Sequence, residues 1–218
     1  MGKKNDTIDD LVLEQEKSLS KKEKETQINR NLIYSDKFIR AIQSLGESRA
    51  CTRAIIDASR NILEHHNGDK YEDLYFIDSV TNICKYQRGY YKEIQKVEPT
   101  KEMHKMLKNN ANIIGIHNHP NSTIPSLDDF HVCKDRNYKY GLVLCHNGSI
   151  YQYKVIGELI DIIIECSRQI FEKEEYISLT NLQTHEDIKS AHIEHLQELQ
   201  ANLRKAGIEF TEVLCYER

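Results

Sequence analysis

Apolar residues recur along the chain at two spacings, and the points where the spacing changes divide it into elements. From Ser35 to about Leu45, Phe38, Ile39, Ile42 and Leu45 fall at helical spacing, and Gly46 ends the run. A second helix is predicted from about Arg49 to His65, carrying Ala54, Ile55, Ala58, Ile62 and Leu63. His65, His66, Asn67 and Gly68 read as its C-terminal end, where histidine is favoured beside the helix dipole. Tyr71 to Asp78 then reads as a strand, Ser79 to Asn82 as a turn and Ile83 to Arg88 as the hairpin partner. Thr100 caps a predicted helix running to Lys108, with Met103, Met106 and Leu107 on one face. Ile113 to Ile116 is a short apolar strand and Asp128 to about Asn137 a helix. Gly141 to Cys145 and Ser149 to Val155 form a hairpin around the Asn147-Gly148 turn signal. Residues 158 to 172 predict an amphipathic helix whose Ile162, Ile163, Cys166, Ile170 and Phe171 would clothe a sheet. A longer helix follows from about His185 to Arg204, closed by Gly207, and Ile208 to Leu214 reads as a last strand. The pattern is of the α/β (α+β) class.

The chemistry concentrates in Ile113 to Phe130, IIGIHNHPNSTIPSLDDF. Residues i and i+2 of an extended segment project from one face, so the His117 and His119 imidazoles can reach one point. Ser126, two residues ahead of Asp128 and Asp129, is a helix-start signal that puts Asp129 in the first turn, facing back across the loop. Two imidazoles and one carboxylate are a usual ligand set for catalytic zinc, with a fourth position left for water. Ser126 and Asp129 equally fit a helix N-cap and its capping-box partner. An apolar strand ending in two histidines needs a partner for them, and an acid supplies it.

These residues resemble a family. His117-Asn118-His119-Pro120 followed by Pro125-Ser126-Leu127-Asp128-Asp129 is similar to the JAMM (MPN+/JAB) zinc metalloprotease signature, and its His-Asn-His-Pro part to the RadC-like branch. The resemblance implies a JAMM/cytidine-deaminase-like mixed sheet flanked by helices over about Asp69 to Val155. It implies that His117, His119 and Asp129 bind Zn²⁺ and that Ser126 assists the oxyanion. The family spaces its second His and its Asp one residue further apart. The intact S-x-x-D spacing selects Asp129, with Asp128 the minor contender. The resemblance also implies a general base upstream, near the start of the first core strand. Glu72 in Tyr71-Glu-Asp-Leu-Tyr-Phe-Ile-Asp78 stands there, with Glu64 as competitor. Tyr34 to Val155 is also similar to JAB-type regions of phage minor-head and head-morphogenesis proteins. The implied activity is hydrolysis of a peptide or isopeptide bond, the substrate a protein or peptide, ubiquitin-like or phage-encoded. The alternative is a JAB-fold binding or assembly module of a prophage or mobile element that turns nothing over.

Composition narrows the classes. With 218 residues and 29% charged side chains, the chain is long enough for one core with helical additions. Mean hydropathy of −0.63 points to sizeable solvated segments. A net charge of −4 disfavours nucleic acid, and with it a RadC-like DNA-associated role. No run has the length of a membrane span and MGKKNDTIDD lacks a signal-peptide core, so a cytoplasmic protein is expected. Six scattered cysteines without a C-x-x-C pair exclude a zinc ribbon and suggest reduced, partly buried thiols; Cys133, a turn beyond Asp129, reads as core. Residues 1–30 read as a charged, frayed or disordered arm, 31–68 as a helical lead-in, 69–156 as the catalytic core and 157–218 as a helical extension able to meet an assembly partner. His185, His192 and His195 read as a polar stripe on a surface helix rather than a second metal site.

Overall fold

The computed structural model describes residues 27–89, 97–182 and 184–215. The predicted arm falls, up to residue 26, outside the described residues. In chain order the elements are α1 (Arg30–Ile33), α2 (Asp36–Gln43), α3 (Arg49–His65), β1 (Leu74–Asp78), β2 (Cys84–Gln87), α4 (Lys101–Leu107) and β3 (Ile113–His119). They continue with α5 (Leu127–Asp135), β4 (Tyr140–Cys145), β5 (Ile150–Val155), α6 (Asp161–Asn181), α7 (His185–Lys205) and β6 (Ile208–Leu214). The strands form one mixed sheet in the order β2-β1-β3-β4-β5-β6. Only β3 and β4 pair in parallel, because α5 carries the chain across between them; the other neighbours are antiparallel. None of the described helices is long and apolar enough to cross a membrane.

Both faces of the sheet are covered, so the central strands are buried throughout rather than alternating. On one face Tyr75, Ile77, Ile114, Ile116, Leu142 and Leu144 pack under α1–α3 through Phe38, Ile42, Ile55 and Ile62. On the other face Leu74, Phe76, Ile113, Val143, Tyr151 and Phe210 pack under α4–α7 through Met103, Phe130, Phe171 and Leu203. The predicted β-hairpin closes at Gly148, whose φ of +100° suits glycine.

Two expectations are corrected. The strand predicted from Tyr71 begins at Leu74, because the Asn118 side chain takes over the ladder ahead of it. Asn118 Oδ1 accepts from Asp73 N at 2.9 Å and its Nδ2 donates to Tyr71 O at 2.9 Å. The helix expected over 158–172 runs Asp161–Asn181, and it faces differently from the predicted stripe. Its buried residues are Ile164, Ser167, Phe171, Glu175 and Ser178, whereas Ile162 and Ile170 are exposed. A run of three isoleucines leaves the stripe open to rotation, and the ion pair that Glu175 makes with α7 holds the polar side inward.

Candidate metal centre

Alternation along β3 sets the site. Ile113, Gly115, His117 and His119 point to the α4–α7 side, and Ile114, Ile116 and Asn118 to the other. Leu74 pairs with His117, so counting back puts Asp73 opposite Asn118 and Glu72 opposite His119, with Glu72 on the histidine face. Gly115 makes room on this face for the Tyr138 ring, which would lie 2.4 Å from a Cβ there.

His117 and His119, 9% and 8% exposed, bring their Nε2 atoms to 3.1 Å of each other. Asp129 completes the triangle, with Oδ1 3.1 Å from His117 Nε2 and Oδ2 3.4 Å from His119 Nε2. The Thr123 carbonyl can only accept, so His119 donates Nδ1–H to it at 3.0 Å, and a neutral ring then keeps its Nε2 lone pair toward the triangle. Asp129 is held by the capping box at the head of α5: its Oδ2 accepts from Ser126 N and Ser126 Oγ, each at 2.7 Å, and its own N–H donates to Ser126 Oγ at 3.2 Å. The two readings of Ser126 and Asp129, cap and site, therefore coincide. Burial would raise the Asp129 carboxyl, but His117 and then His119 hold it well below the usual range. Burial opposes a proton on His117, and Asp129 outweighs it, so the imidazole is raised.

Of the neighbouring acids, Asp128 is exposed and outside the triangle. Glu72 is half-buried and lines the same cavity of about 670 Å³ as His117, His119, Ser126 and Asp129. Burial raises its pKa, partly offset by His117 and His119. Glu64, the competitor, is on α3 and accepts from Arg30 Nη2 at 2.7 Å, remote from the cavity lining. Cys133 is buried and its thiol is pushed up to about 11 by burial, which fits an inert core residue.

Tetrahedral zinc with bonds of about 2.0–2.1 Å to nitrogen and oxygen has neighbouring donors about 3.3 Å apart. The three edges found here, 3.1, 3.1 and 3.4 Å, fit that size. Three polar side chains with mutually facing donor atoms are the arrangement a cation resolves.

Two further groups were not foreseen as sites. His65 and His66 do end α3, with His66 as C-cap, but they also converge on the fully buried Asp73. His65 Nδ1 lies 2.9 Å from Asp73 Oδ2, His66 Nε2 2.8 Å from Asp73 Oδ1, and His66 Nδ1 2.9 Å from Asp69 Oδ1. Burial pulls the His66 imidazole down, but bonds to Asp73 and Asp69 prevail and raise it. His192, expected on a surface stripe, is buried between Glu175 and Glu212. The available signal was its place at helical spacing with Leu196, Leu199 and Leu203, which a buried histidine shares. No family model matches the chain, and neither a curated protein nor a solved structure is significantly similar to it.

Proposed function

We propose that this protein is a zinc-dependent metallopeptidase of the JAMM type, hydrolysing a peptide or isopeptide bond in a protein substrate. The observation that carries the reading is the triangle of His117 Nε2, His119 Nε2 and the Asp129 carboxylate, with donor edges of 3.1–3.4 Å beside Glu72. In this reading His117, His119 and Asp129 would hold the ion, which when bound would supply Lewis acidity to a water and to the substrate carbonyl. Glu72 accepts the proton of the attacking water and returns it to the leaving amine; a carboxyl raised by burial is suited to both steps. Ser126 fixes the Asp129 carboxylate through two hydrogen bonds, one from its backbone N–H and one from its hydroxyl; the oxyanion role that the resemblance implies would require that hydroxyl to turn from Asp129 to the substrate. The α5 capping box thus serves as the support that holds a ligand in one orientation.

The test is metal content followed by cleavage. Purified protein should carry zinc that His117→Ala/His119→Ala loses in part, by about one equivalent per chain. A panel of ubiquitin-like conjugates and peptides, with and without chelator, should contain a bond cut only by the zinc-loaded wild type. Equal zinc in both proteins sinks the centre. Zinc at the centre with no cleavage across the panel favours a non-catalytic binding or assembly module.

A further inference from the structure

The C-terminal layer contains a second convergence of donors. His192, midway along α7, is 6% exposed. Its Nε2 lies 2.8 Å from Glu212 Oε2 on β6, and its Nδ1 lies 3.0 Å from Glu175 Oε2 on α6. His195, one turn on, meets the other oxygen of Glu175 at 3.2 Å. One donor atom each from His192, Glu212 and Cys215 lies within 4.8 Å of the others.

The backbone shows how Glu212 and Cys215 come together. Residues three apart on a regular strand face opposite ways. In β6, Glu212 pairs with Tyr151 but Leu214 with Ile150, so Val213 is an inserted residue and the strand bulges there. The bulge turns Leu214 into the core under α1–α3 and returns Cys215 to the side that Glu212 and His192 share. It bends the strand where three ligand-type side chains meet, which is what bulges beside sites do.

We propose that His192, Glu212 and Cys215 form a second metal site for a divalent transition ion, zinc by its donor set, with Glu175 holding the far nitrogen of His192. Nitrogen, carboxylate oxygen and sulfur together suit zinc and disfavour magnesium or calcium. Glu175 stands 3.0 Å from the far nitrogen of His192 as an ion-pair contact rather than a hydrogen bond. Glu175 and Glu212 are 8% and 6% exposed and crowd one ring between them, with His195 on the other oxygen of Glu175, so a cation at this junction would offset buried negative charge. A divalent ion at this point would tie α6, α7 and β6 together. The site stands independently of the His117–His119–Asp129 centre.

Cobalt substitution of the full chain separates the two centres, because only the second includes a thiol. Cobalt-loaded wild type should show a thiolate-to-cobalt charge-transfer band in the near ultraviolet. His117→Ala/His119→Ala should retain the band, and Cys215→Ser should lose it while keeping its far-ultraviolet circular dichroism. Zinc content should fall from two equivalents per chain to one in either variant. Cys215 is half-buried near the end of the described chain, so its replacement by serine is mild for folding. A cobalt-loaded protein without a band that depends on Cys215 overturns the proposal and leaves His192 as a charged clamp between two glutamates.

Discussion

Two histidine pairs sit at the same end of the sheet on opposite faces, and they differ in what surrounds them. His117 and His119 bring ring nitrogens to 3.1 Å, and His65 and His66 to 3.2 Å; each pair faces one aspartate. Behind His66 a second carboxylate, Asp69, takes the remaining nitrogen, and Asp73 also accepts from Gly89 N at 3.0 Å. Two acids around one imidazole favour an imidazolium that pairs with them, although donor atoms of His65, His66 and Asp73 also lie within 4.8 Å of one another. Behind His119 stands the neutral Thr123 carbonyl, and a cavity opens in front. There Asp129 faces both imidazoles and Glu72 stands on the cavity wall, which leaves room for an ion from outside. Donor types are nearly the same in both pairs; the groups behind them make the difference.

The strongest way to sharpen this contrast is Glu72→Gln, which keeps shape and hydrogen bonding but removes the proton acceptor. Turnover should fall by a factor on the order of 10² to 10⁴, with zinc content unchanged. Kinetics on whichever conjugate the wild type processes, paired with elemental analysis, checks it; unaltered turnover removes Glu72 from the mechanism.

Asp129→Ala and Asp73→Ala should part company next. The first should lose one equivalent of zinc, while Asp128→Ala, its exposed neighbour, loses none. Asp73→Ala should keep all zinc and cost about 3–5 kcal/mol in urea unfolding, since it strands His66 in a buried setting. Zinc loss in the Asp73 variant would mean that the back cluster is itself a metal site.

Asn118 lies between His117 and His119 in sequence but points to the opposite face, where its side chain bonds the backbone on both sides of Glu72. Asn118→Ala should cost about 2 kcal/mol, the usual penalty for buried backbone groups left unpaired. Denaturant midpoints measure this; a shift within error would show that water replaces the side chain. The smallest effect belongs to Glu64→Gln on the back-face helix, where turnover and zinc content should both stay at wild-type levels. A turnover loss like that of Glu72→Gln would transfer the base to α3.

Much of the centre was legible because it is local. His117, His119, Ser126 and Asp129 lie on one strand and the next helix start, so strand alternation and a capping box suffice to aim them together. Glu72 needed a family resemblance, because its place opposite His119 depends on the pairing of β1 with β3. The back-face histidines were legible as a helix end but not as partners of Asp73. That contact needs α3 laid across the sheet and Asn118 threaded beneath Tyr71.

Read alone, the sequence determined the kind and order of the elements from α2 onward, the apolar faces of most helices, and the three side chains that converge at His117. Those follow from short-range periodicity, which the chain carries within each element. Only the tertiary structure decided which side of α6 is buried, that His192 lies inside rather than on the surface, and that Glu212 and Cys215 share a face. Each depends on groups brought together across elements. A buried charge is placed by its partner, and a one-residue bulge reverses every side chain after it without any mark in the local pattern.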